Sequence, residues 1–161
     1  MATGNGAVGW RRFFGLSRGE RQEPAEILGQ LYIDQTQQAE LFSRYAAGMK
    51  YPQFRDRLLS MASEKTIYAE RVAEKLAALD RRLPPVSEVA PVHQNSWKQL
   101  MHALEEESRS ADRLQTQLHT VAAGDQATFA LLEEIVRMQK KHRDAIRHML
   151  MRSDPFASSL T

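Results

Sequence analysis

Asp80-Arg81-Arg82-Leu83-Pro84-Pro85-Val86-Ser87-Glu88-Val89-Ala90-Pro91-Val92-His93-Gln94-Asn95 decides the topology of this chain. Proline lacks an amide proton and pushes the residue before it into extended backbone. With prolines at 84, 85 and 91 the stretch cannot be helical, whereas apolar residues on both sides of it recur at helical spacing. It reads as a long extended connection between two helical halves. Sixteen extended residues reach roughly 50 Å. A helix of about 25 residues is roughly 37 Å long. The connection can therefore return along a whole bundle.

Upstream, the first helix fits about residues 24–49, with Pro24 in its first turn and Ile27, Leu31, Leu41, Phe42, Tyr45 and Met49 on one stripe. Pro52 forces a break at Lys50-Tyr51. A second helix follows over about 53–79, with Leu58, Ala62, Ala69, Val72 and Leu76 facing inward. Downstream, Asn95 or Ser96 can cap a third helix over about 97–121, with the stripe Leu100, Leu104, Ala111, Leu114 and Leu118. Gly124 closes it and Asp125 can cap the fourth. That helix carries Ile135, Ile146 and Met149 inward and stops near residue 152, before Ser153-Asp154-Pro155. Short, long, short connections predict an all-α antiparallel four-helix bundle with one long crossover, between helices two and three. The expected organisation is a flexible tail over 1–23, the bundle over 24–156 and a short C-terminal tail over 157–161.

Composition removes several alternatives. The 161 residues include no cysteine, which excludes disulfides, thiolate metal sites and a cysteine nucleophile. No run approaches 18 apolar residues, so no membrane span is expected and a cytoplasmic location is, free or peripheral to a membrane or a larger complex. The net charge of +2 comes from 22 Lys and Arg against 20 Asp and Glu, too small an excess to indicate nucleic acid. Residues 1–24 hold four arginines against two glutamates, leaving 18 of each sign in the rest of the chain. The excess sits in a segment where Trp10, Phe13, Phe14 and Leu16 alternate with Arg11, Arg12 and Arg18. Such a basic-aromatic stretch can dock into a protein partner, lie at a membrane surface, or fold back onto the bundle. No apolar segment follows the paired arginines, so it is not read as an export signal.

Each helical stripe is interrupted by a polar residue near mid-helix. These are Gln38 on the first, Lys65 with Tyr68 one turn on, Glu107 on the third, and Gln139 with His142 on the fourth. They are expected to meet in one layer, which is costly unless its members satisfy one another. An error of one residue leaves Glu40, Glu64 and Glu106 as alternates. His93, His102, His119 and His148 show no spacing to carboxylates that singles them out, and the methionines read as core and interface filler.

At this layer the chain resembles a family. Tyr51-Pro52-Gln53-Phe54-Arg55-Asp56-Arg57-Leu58, followed by Ala62-Ser63-Glu64-Lys65-Thr66-Ile67-Tyr68-Ala69-Glu70, looks like the second helix of rubrerythrin-type ferritin-like proteins. Leu131-Leu132-Glu133-Glu134-Ile135 and Gln139-Lys140-Lys141-His142-Arg143 look like the fourth. The resemblance covers about residues 25–156. It implies a di-iron or di-manganese centre held by one Glu on each of two helices and a Glu-x-x-His pair on each of the others. Carried over, Gln38 stands for the first Glu, Lys65 and Tyr68 for the second-helix Glu and His, and Gln139 for the fourth-helix Glu. Glu107 and His142 keep their types. Two divalent cations bring a charge of about +4 that one carboxylate cannot balance, and Lys65 adds repulsion of several kcal/mol per unit charge. Lys65 can instead pair with Glu107.

The expectation is a degenerate di-metal site without metal or catalytic residues. The bundle then acts as an interaction or structural subunit whose tail contacts a partner, and the resemblance implies a homodimer. The alternative is a rearranged iron or manganese site built from Glu40, Glu64, Glu106, Glu107 and His142, handling iron, oxygen or peroxide.

Overall fold

The computed structural model describes residues 23–89, 93–122 and 125–156. They form α1 (Pro24–Gly48), α2 (Pro52–Ala78), α3 (Ser96–Ala122) and α4 (Gln126–Met151). The segment from Trp10 to Arg18, the connection at Pro91 and the closing Gly124 lie outside the described residues.

Local chemistry sets the helix ends. Pro24 and Pro52 each open a helix at the first position, where an amide proton has no partner to lose. Tyr51, just before Pro52, is extended and accepts from the Phe54 amide at 3.0 Å. Asp80 ends α2 in the left-handed region, at φ 53°. Its amide donates to Ala77 O and that of Arg81 to Leu76 O, both at 3.0 Å, the crossed pair of bonds that usually calls for glycine. Of the two caps considered for α3, Asn95 serves: its Oδ1 accepts from the Lys98 amide at 3.0 Å. Asp125 caps α4, its Oδ1 accepting from the Ala127 amide at 3.0 Å and its Oδ2 from Thr128.

α1 packs against α2 and α3, and α4 packs against α3 and more lightly against α2. The crossover runs along α1 in the direction of α1 itself. Pro84 lies against Gly29, Ser87 O accepts from Gln37 Nε2 at 3.2 Å, and Val89 O accepts from Arg44 Nη1 at 3.5 Å. The chain thus returns to the end where α2 began, and Gly48 there approaches Gln99 of α3. The fold is an all-α four-helix bundle with one crossover, and no described helix is long and apolar enough to cross a membrane.

Two apolar clusters fill the interior. One contains Phe42, Tyr45, Leu58, Met61, Leu100 and Ile146. The other contains Ile27, Leu31, Val72, Leu114, Leu132 and Ile135. On α3 the centre of the stripe differs from the expected one. Leu100, Glu107, Leu114 and Val121 are buried in seven-residue steps, with Ala103 and Ser110 beside them, whereas Leu104 and Leu118 are half-buried at the edge. A strict seven-residue seam selects the position facing the neighbouring helices, even where it holds alanine or serine. The methionines divide as well: Met49, Met61, Met138 and Met149 are buried, but Met151 is 78% exposed.

Candidate functional site

Between the two apolar clusters the interior turns polar. Gln38, Lys65, Glu107, Gln139 and His142, one or two from each helix, are buried. Lys65 is the centre. Its Nζ lies 2.6 Å from Gln38 Oε1, to which it donates, and 2.6 Å from Glu107 Oε2. The Phe42 ring lies 5.4 Å from the same ammonium. Gln38 in turn donates to Glu106 O at 3.1 Å, tying α1 to α3. His142 stands between two carboxylates: Nε2 is 3.0 Å from Glu64 Oε2, and Nδ1 is 3.6 Å from Glu107 Oε1.

A second string of polar groups adjoins this one. Gln139 Nε2 donates to Ser110 Oγ at 3.1 Å, and Ser110 Oγ donates to Asp34 Oδ2 at 3.1 Å. Asp34 also accepts from Gln30 at 2.9 Å and pairs with Arg113 at 3.5 Å. Neither Asp34 nor Ser110 stands out in the sequence. Their only signal is position: Asp34 lies one turn before Gln38, and Ser110 lies three residues after Glu107.

The electrostatics centre on one ion pair. Burial pulls the Lys65 ammonium below its ordinary range, against the upward pull of Glu107. Burial alone would raise the Glu107 carboxyl, but Lys65 and His142 overcome this and hold it low. Glu64 is also held low, by its hydrogen bond with His142 and by Lys141 at 3.4 Å, against the effect of burial. Removing charges from water is expensive, and each of these is offset only by its neighbour.

Three expected members lie elsewhere. Tyr68 is half-buried off the layer, and its hydroxyl donates to Glu134 Oε2 at 3.4 Å beside Arg71. One turn beyond Lys65 the helix has rotated the phenol toward the α2–α4 edge. Glu40 pairs with Arg44 on the surface, and the Glu106 carboxylate pairs with Arg109 at 2.5 Å. His102, passed over in the sequence, has its Nδ1 hydrogen-bonded by the Tyr45 hydroxyl, with Glu106 3.8 Å from its Nε2. Burial and Glu106 push the Tyr45 phenol up to about 12, so it keeps its proton. The His102–Glu106 spacing of four residues was the available signal.

The donor set does not suit a dinuclear metal centre. Glu107 Oε2 already faces an ammonium at 2.6 Å, and the Nε2 of His142 is taken by Glu64. Among the described residues, no three His, Asp or Glu side chains are arranged to hold a metal ion. At about 4 Å, the repulsion between Lys65 and each unit of added positive charge is about 4 kcal/mol at an effective dielectric of about 20.

Comparison with curated proteins gives no match. A family model described as the ferritin-like domain matches residues 32–153, from within α1 through the crossover to the end of α4. With the bundle topology this settles the fold family: the chain belongs to the ferritin-like domain family.

Proposed function

We propose that this ferritin-like bundle works without a metal centre, as an interaction or structural subunit in which Lys65 supplies the positive charge a metal would bring. The observation that carries the reading is the buried Lys65–Glu107 pair, 2.6 Å apart at the middle of the bundle and joined there by Gln38. A cation fixed in the chain balances the Glu107 charge from within the layer, and it removes the open positions that oxygen or peroxide chemistry needs. We assign no catalytic residue. The resemblance of the runs on α2 and α4 to rubrerythrin-type proteins supports reading the site as a degenerate one of that branch, and it also supports a homodimer.

The contact for a protein partner in this reading is the segment holding Trp10, Arg11, Arg12, Phe13, Phe14, Leu16 and Arg18 in a cytoplasmic subunit. An affinity pull-down with and without residues 1–20 tests it. Loss of the partner with an unchanged melting temperature supports the assignment. A lower melting temperature means the segment packs on the bundle, and loss of vesicle binding alone means a membrane surface.

A second reading draws on Glu64 and Glu107 flanking His142: an iron or manganese protein with a rearranged site handling iron, oxygen or peroxide. Ferroxidase and peroxidase assays on metal-supplemented protein separate the two. Turnover lost in Glu107→Gln would favour the metal reading.

A further inference from the structure

The balanced charge of the bundle conceals a strong local excess. From Arg137 to the capping Arg152, the end of α4 carries six Lys and Arg against the single acid Asp144. Several of these line a groove of about 700 Å³ between α4 and the first turns of α2. Arg137, Lys140, Lys141 and Arg152 stand on the α4 side and Arg57 on the α2 side, over a floor that includes Phe54 and Met149. Of the basic groups here, Lys140 is neutralised by Asp144 and Lys141 by Glu64. Arg57, Arg137 and Arg152 form no ion pair within 4.0 Å among the described residues, although the charge of Arg137 helps to hold the Glu134 carboxyl low. Because α4 packs only lightly against α2, the seam between them stays open.

We propose that this α2–α4 groove binds an acidic amphipathic segment of a protein partner, with carboxylates on the unpaired arginines and its apolar face over Ala145, the half-buried apolar residue of the lining. The chain's own N-terminal segment is a poor occupant, because its four arginines would face like charge. The cations lie around a concavity, which a flat bilayer cannot enter. Single-stranded nucleic acid relies on successive exposed aromatic faces for stacking, and the groove offers only the exposed His148 ring, Phe54 being buried. A helix laid into a groove with charged rims satisfies both features. The α4 cations from Arg137 to Arg152 span roughly 22 Å, about four helical turns of a bound segment.

The test uses the full chain and a fluorescent helix-forming peptide of about 18 residues, Glu on one face and Leu on the other, followed by anisotropy. Saturable binding that weakens with salt is expected, and Arg57→Glu/Arg137→Glu should reduce affinity at least about tenfold with an unchanged melting temperature. Reversing Lys75, at the far end of α2, and Arg82, just beyond it, should leave it within about twofold. The proposal is overturned by absent saturable binding, or by equal losses from the two reversals. It is also overturned if single-stranded DNA or phosphatidylserine vesicles bind more tightly through Arg57 and Arg137.

Discussion

The two apolar clusters and the polar layer between them belong to the same four helices, yet they hold the bundle by opposite means. In the clusters, residues such as Leu58, Leu100 and Leu132 are fully buried, and each removes apolar surface from water without needing a particular partner. In the layer, Lys65 and Glu107 are equally buried but tolerable only together. A cluster residue can be trimmed and its neighbours relax, whereas a layer residue removed alone strands a charge. The clusters supply stability. The layer adds a requirement of register, because Gln38, Lys65, Glu107 and His142 meet only when all four helices are aligned.

That contrast breaks most sharply at Lys65. Lys65→Ala leaves Glu107 buried without its counter-charge and should cost roughly 3–5 kcal/mol, read by chemical denaturation. Leu132→Ala, in the cluster with Ile27 and Val72, should cost roughly 2–5 kcal/mol through lost transfer energy and a cavity. The two losses part company on compensation. Glu107→Leu added to Lys65→Met should restore stability to near or above that of the natural chain, and no second substitution of charge does this for Leu132→Ala.

Acid should also strike the layer first. Glu107 and Glu64 are held below the ordinary value of 4.5, so the unfolded chain takes up protons more readily than the folded one as pH falls. Their contribution is complete above 4.5 and is lost as pH drops through the lower folded values. The Lys65→Met/Glu107→Leu variant should show a shallower acid loss in urea melts across that range. An equally steep curve would assign acid sensitivity to the surface. The smallest expected effect lies outside both regions. Asp80→Gly relieves a left-handed residue at the end of α2 and should stabilise by about 0.5–1 kcal/mol.

The two regions were not equally legible in the sequence. The apolar stripes of α1, α2 and α4 follow from helical spacing, and the crossover follows from Pro84, Pro85 and Pro91. A charged residue in the middle of an apolar stripe is also conspicuous, which is why Lys65 and Glu107 could be placed. Gln38, Gln139 and His142 were legible in the same way, but the adjoining Asp34 and Ser110 were hidden for physical reasons. Asp34 and Ser110 are short polar residues of the kind that usually face water, and only the approach of α1 to α3 turns them inward. Tyr68 is aromatic and one turn from Lys65, but its phenol needs only Glu134 and stays half-exposed. The basic groove was concealed by summation, since its excess on α4 is cancelled by acids elsewhere.

The central claim is that Lys65 stands in for a metal at the heart of the bundle. Metal content and melting temperature, measured on protein grown with added iron and manganese and then treated with chelator, test it most directly. The expected result is substoichiometric metal and a melting temperature that chelation does not change. Two metals per chain, with a transition that falls when they are stripped, would contradict it.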